Sequence, residues 1–151
     1  MIRGVSFEIS QTTTDTLWKI LSCINIENFC WFNIEDQNET WSDVKGSAFF
    51  DSNYYDGMIF KKHIQSKHYI VFLKLQAFLQ GERFSNVHTY EEFLFSNCKI
   101  LLLVNDCRFV EIYCKDEFVS KSIYENALLN NFTNIEYITE TNDTRTKMDV
   151  L

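Results

Sequence analysis

A strand–turn–strand at residues 99–115, KILLLVNDCRFVEIYCK, limits the possible folds more than any other segment of the chain. Residues 100–104 are apolar without interruption, so a strand made from them needs cover on both surfaces and belongs in the interior of a sheet. The strand after it, residues 107–114, is two-sided. Val110 and Ile112 point one way, and Phe109, Glu111 and Tyr113 point the other. Asn105 and Asp106 tolerate the positive φ of a two-residue turn, which predicts an antiparallel hairpin.

Other segments carry their own periods. Alternation over 2–9, 68–78 and 134–139, and the aromatic run 29–34, predict further strands. Leu17, Ile20, Leu21 and Ile24 follow helical spacing behind several N-cap candidates at 12–15. A short helix is expected over 57–65. Thr89 and Glu92 form a capping box that opens another, ending near Ser96. Helix 116–131 is expected to turn Val119, Ile123 and Ala127 inward, with Phe118 and Leu128 beside them. Residues 35–56 are the least regular: the acidic stretch at their start reads as a loop or hairpin crossing, and they leave room for a short strand. These elements predict one α+β domain: a mixed, mainly antiparallel sheet of about five or six strands with about three or four helices chiefly on one face. Residues 140–151 read as a polar C-terminal tail that turns apolar again at 148–151.

With 151 residues and 46% hydrophobic content, the chain can bury one substantial core. Its net charge of −7 argues against nucleic acid, which a basic stripe would have to bind, and favours a protein partner, perhaps a basic one. Aromatic residues at 16% exceed what the core needs, so some rings are expected at the surface. The 5 cysteines lack CxxC spacing and read as reduced thiols, which points to a cytoplasmic protein. The opening MIRGVSFEIS is neither a leader peptide nor a membrane span. No phosphate loop, dinucleotide fingerprint, nucleophile elbow or zinc motif occurs, so no cofactor, metal or catalytic residue is assigned.

The candidate sites each have a plainer alternative. Glu35, Asp36, Glu39 and Asp43, interleaved with Trp31, Trp41 and Tyr55, resemble a recognition surface of aromatic anchors ringed by charge. The plainer reading is a solvated acidic loop, and the spacing fails the calcium-loop pattern. From this segment Glu35, Asp36, Glu39, Trp41 and Tyr55 are the partner-binding candidates, with Phe49 and Phe50 expected to be exposed beside them. Asp143 and Arg145 are candidates for holding an anionic ligand, because an arginine can fork onto a carboxylate or phosphate. Alternatively Asp143 pairs with Arg145 and ties the tail to the sheet. Cys98 or Cys114 activated by His68 or His88 would give a cysteine nucleophile; buried, inert thiols are the simpler expectation. The histidines read as solvated or singly hydrogen-bonded. Self-association through Phe109, Glu111 and Tyr113 is a further possibility.

The segments RGVSFEI, TYEEFL, LLLVNDCRFVEIYCKD and NFTNIEYITETNDTRTKMDVL together resemble a family of roughly 150-residue proteins of unknown function from Bacillus and related Gram-positive bacteria. The resemblance runs nearly end to end and is weakest over 35–56. It implies a stand-alone cytoplasmic domain with no established activity, cofactor or catalytic residue. The favoured function is a small acidic protein-binding module, of the immunity or anti-toxin type by class analogy. The alternative is a small-ligand or nucleotide sensor, with the ligand between the sheet and residues 35–56 and Arg145 on its anionic group. The third is a cysteine-dependent enzyme.

Overall fold

The doubly apolar segment becomes strand β5 (Cys98–Asn105), the middle member of a seven-stranded sheet. The computed structural model describes residues 1–42 and 46–151. The other strands are β1 (Ile2–Glu8), β2 (Phe29–Ser42), β3 (Tyr54–Asp56), β4 (His68–Leu79), β6 (Phe109–Cys114) and β7 (Thr133–Thr139), in the spatial order β3-β2-β4-β5-β6-β1-β7. Each neighbouring pair is antiparallel. The fold is α+β as expected, with more strands than expected and antiparallel throughout.

Ile100, Leu102 and Val104 feed a first core with Phe7, Leu73, Leu75, Val110 and Ile112. Leu101 and Leu103 point the other way, into a second core with Phe78, Phe93, Tyr113, Ile138 and Met148. Helices α1 (Thr16–Leu21), α2 (Gly57–His63) and α4 (Glu117–Leu129) contribute Leu17, Phe60 and Ile123 to the first core. On the second face only α3 (Tyr90–Phe95) is helical among the described residues. Val87, from the crossing between β4 and α3, and Met148 complete that cover.

Several local expectations shift. The hairpin turns one residue later than expected: Asp106 and Cys107 take φ of 52° and 60°, and the Arg108 N–H donates to the Asn105 carbonyl at 3.0 Å. Ile24 lies beyond the end of α1. Ile123 and Ala127 do face inward, with Val119 packed beside them, whereas Phe118 and Leu128 are exposed. Asp116 caps α4, accepting from the Phe118 N–H at 2.9 Å. Thr89 caps α3, and Glu92 reaches back to the His88 N–H at 2.6 Å rather than to that of the cap residue.

The largest departure is β2. Residues 35–42 were expected to cross as a loop, yet Asn38 to Ser42 pair with β4. The register slips between Asn33 and Asn38, which oppose Leu75 and Leu73, so residues 34–37 bulge against the single position 74. Pairing with a buried neighbour outweighs the poor strand propensity of Glu, Asp and Asn. Gly57 is needed where α2 starts, because a Cβ there would stand 2.4 Å from the Phe29 carbonyl oxygen.

Truncating the middle strand should be costly and truncating the outer side of α4 should not. Leu102→Ala is expected to lose about 3 kcal/mol, since the side chain is fully buried between strands. Phe118→Ala should stay within about 0.5 kcal/mol, because that ring is exposed. Urea unfolding of both variants checks the pair of values.

Candidate functional site

The second face divides into a covered half and an open half. Strand alternation places Gln37, Glu39 and Trp41 of β2 on this face, with Tyr69, Phe72 and Lys74 of β4. Trp41 stands opposite Tyr69, and Glu39 opposite Phe72. Phe109 of β6, facing Asn105, extends the row. Trp41, Tyr69 and Phe109 are 38%, 45% and 45% exposed, and among the described residues no helix lies over them. On β2, Glu35 and Asp36 are exposed at the bulge, where Glu35 lines a cleft with Asn33 and Ser52, and Glu39 is half-buried two residues before Trp41. Among the described residues none of these acids forms an ion pair. Arg108 lies 5.4 Å from the Phe109 ring centre and is bound to Glu8 at 2.6 Å, so its charge is matched.

The structure brings Trp41 together with Glu39 but separates both from Tyr55. Tyr55, Phe49 and Phe50 are sealed in the first core, where Tyr55 stacks on His63 at 5.2 Å. Burial and a hydrogen bond to Asp51 push the Tyr55 hydroxyl up to about 12. Phe49, Phe50 and Tyr55 are therefore not the outward anchors expected, although residues 51–54 between them are exposed. Residues 49–56 hold so many rings because they close the end of the first core over α2. Asp43 lies outside the described residues. Tyr69 was not among the candidates, and Phe109 was named only for self-association; the polar–aromatic alternation of β4 and the exposed end of the hairpin are the signals that could have joined them to Trp41. The expected self-association side reduces to Phe109, since Tyr113 is buried and Glu111 is occupied by Arg145.

The covered half is closed by residues 140–151, held by a polar network. Asp143 accepts from Arg3 at 3.0 Å and from the Tyr113 hydroxyl at 3.0 Å. The guanidinium of Arg145 donates to Glu111 at 2.6 and 2.9 Å, to Asn105 at 3.1 Å, and to the carbonyls of Lys147 and Asp149 at 3.1 and 2.8 Å. All its N–H groups are engaged, so none is left to fork onto a ligand. Asp143 and Arg145 thus tie the segment down, as the plainer reading had it, though through Arg3 and Glu111 instead of through an ion pair with each other.

Asp149 is the centre of the latch. Its carboxylate accepts from Lys74 Nζ at 2.7 Å and from Gln37 Nε2 at 2.8 Å, and lies 3.1 Å from His88 Nδ1. Partial burial pushes this carboxyl up, but the bonds from Lys74, Gln37 and His88 outweigh it and hold the group at about 2. Lys74 is fully buried, and that burial, opposed by Asp149, lowers its pKa.

Cys23, Cys98, Cys114, His63 and His68 are engaged in packing and hydrogen bonds. Burial raises Cys23 to about 11 and Cys98 and Cys114 to about 12, so little thiolate forms at neutral pH. His68 is buried and doubly bonded, to the Leu17 N–H at 3.0 Å and the Ser66 carbonyl at 2.8 Å. His63 lies 2.8 Å from the Phe49 carbonyl and stacks on its ring. His63, with that one hydrogen bond among the described residues, fits the expectation of a solvated or singly bonded ring, whereas the buried, doubly bonded His68 does not. Among the described residues no three His, Cys, Asp or Glu side chains converge as a metal ion would require. Arg145 is also absent from the polar cleft between the sheet and residues 48–53, which Asn33, Glu35, Asn38, Asp51, Ser52 and Asn53 line. Among the described residues no helix is long and apolar enough to cross a membrane.

Comparison with known proteins agrees with the resemblance in the motifs. A family model described as "Protein of unknown function (DUF2691)" matches residues 2–149. A Bacillus subtilis (strain 168) protein described as "Uncharacterized protein YncE" is 36% identical over 156 aligned positions, covering 99% of this chain and 100% of the relative. No solved structure matches.

The latch should be acid-labile. Because the Asp149 carboxyl sits below its ordinary value, its contribution is complete above about pH 4. It is lost as pH falls from there towards about 2. The Met148 and Val150 amide signals in nuclear magnetic resonance spectra should follow that loss. In Asp149→Ala they should show no such acid step.

Proposed function

The chain belongs to the DUF2691 family, and we propose that it is a protein-binding module that docks a basic partner through the open half of its second face. The observation that carries this reading is the exposed row Trp41, Tyr69 and Phe109, with the half-buried Phe72, across β2, β4 and β6. Glu39 lies beside it, and the acids Glu35 and Asp36 are exposed at the neighbouring bulge. Large flat rings supply contact area at low entropic cost, and a rim of unmatched charge selects the partner. The sign of that rim, and the net charge of −7, favour a basic surface. This is the architecture of an inhibitor that covers a cationic cleft, in the manner of immunity and anti-toxin proteins. The buried, weakly acidic thiols suit a reducing compartment such as the cytoplasm.

Capture from the lysate of a host cell, with the parent chain and surface variants as baits, tests the proposal. Trp41→Ala should weaken capture of a basic protein by about tenfold or more. Asp36→Lys combined with Glu39→Lys should mainly slow association and remove its dependence on salt. Both variants should melt within a few degrees of the parent. Undiminished capture by folded Trp41→Ala would show that this face is not the docking surface.

A second reading rests on the polar cleft of about 310 Å³ between the bulge of β2 and residues 48–53. Its amide and carboxylate lining suits a small cationic or hydroxyl-rich molecule and disfavours a nucleotide. Thermal-shift measurements should therefore show no stabilisation by nucleotides, and a rise with a polyamine or polyol if this reading holds.

A further inference from the structure

Residues 148–150 are held the way a receptor holds a short extended peptide. Met148 is fully buried in the second core, and its N–H donates to the His88 carbonyl at 2.9 Å. The Asp149 carboxylate meets Lys74, Gln37 and His88. Gln37 then turns its other end to the backbone, its Oε1 accepting from the Val150 N–H at 2.8 Å. Asn105 Nδ2 donates to the Val150 carbonyl at 3.1 Å. Backbone is read at alternate polar groups and side chains in separate pockets, one apolar and one cationic.

A segment serving only to shield the sheet needs apolar side chains and, for its irregular backbone, amide partners such as Gln37 and Asn105, but no buried cation. Here a lysine is withdrawn from water along with the two amides, to meet one carboxylate. Lys74 is the telling case. Its side chain is wholly buried, and among the described residues its ammonium hydrogen-bonds, besides Asp149, only the Val87 carbonyl. Burying a cation is costly unless a carboxylate meets it, so the seat is chemically incomplete when empty.

We propose that the Lys74–Gln37–His88–Asn105 seat is a peptide-binding site, with residues 148–150 as its resident ligand. Its ligand class is an extended segment in which a long unbranched apolar side chain precedes a carboxylate, and a partner protein carrying such a segment exchanges with the chain's own. Tethering gives the resident segment an effective concentration of about millimolar, so the seat stays closed to weak outside ligands until the tether's grip is loosened. This site is separate from the open aromatic row and does not depend on its function.

The test uses the full chain and a labelled peptide of sequence TKMDVL, followed by fluorescence anisotropy. Asp149→Asn should release residues 148–150, seen as faster hydrogen exchange at the Met148 amide. The released chain should bind the peptide about tenfold or more tighter than the parent does. A TKMNVL peptide should bind it about tenfold more weakly, because the charge-assisted bond to Lys74 is gone. The proposal is overturned if the released chain binds both peptides alike, or neither at millimolar concentration. It is equally overturned if the Met148 amide stays as protected in Asp149→Asn as in the parent. If Asp149→Asn does not fold, Met148→Ala in the full chain empties the apolar pocket instead, and the same results decide.

Discussion

A strand that is apolar on both sides obliges the rest of the chain to supply two covers, and β5 is such a strand. The first cover is conventional: α1, α2 and α4 lay apolar stripes on Ile100, Leu102 and Val104. The second cannot be another helical layer, because the chain provides only the short α3 there among the described residues. The shortfall is met by the crossing that carries Val87 and by residues 140–151, which have no regular backbone pairing of their own. Irregular backbone laid on a sheet needs its polar groups satisfied by side chains. This is why the second face carries Gln76 and Gln37 at buried positions that would otherwise be apolar.

The charged residues that hold the cover set its register more than they add to stability. Ion pairs taken out of water return little net free energy, because desolvation offsets most of the attraction. Their value lies in direction. Arg3 on Asp143, Arg145 on Glu111 and Lys74 on Asp149 fix the closing segment at successive points, each pair incompatible with a shifted alignment. Arg3 also stacks on Tyr90 at 4.1 Å, so α3 and the closing segment are joined through one side chain. Tyr113 sits beneath this junction, and burial, together with Glu111 and Asp143, raises its pKa and keeps the hydroxyl a donor.

The two-sided hairpin was legible because its cause is local: Ile100 to Val104 have no polar residue to show to water. The helix cap at Thr89 was legible for the same reason. What could not be read was anything decided across the sheet. Glu35 to Trp41 look like a loop until Leu73 and Ile70 are known to lie alongside. Phe49, Phe50 and Tyr55 look like surface anchors until α2 is placed beneath them. In both cases the local sequence is polar and aromatic together, a pattern equally suited to a docking face and to a segment wedged over a core edge. Arg145 shows a milder form of the problem. Its neighbours in sequence suggested Asp143 as its ionic partner, whereas the carboxylate that meets it is 34 residues away on β6.

The two halves of the second face meet at Gln37 and Asn105. Gln37 grips the closing segment, and two residues on along β2 Glu39 borders the aromatic row. Asn105 binds Val150 and Arg145 with its side chain while its strand position faces Phe109. Any partner that shifts the ends of β2 or of the hairpin must also move groups that seat residues 148–150. For the partner proposed for the aromatic row, linkage requires that the seat's occupant change affinity at the row by the same factor by which that partner changes occupancy of the seat. The closing segment is thus the cover that the doubly apolar strand demanded, and it shares Gln37 and Asn105 with the row beside it.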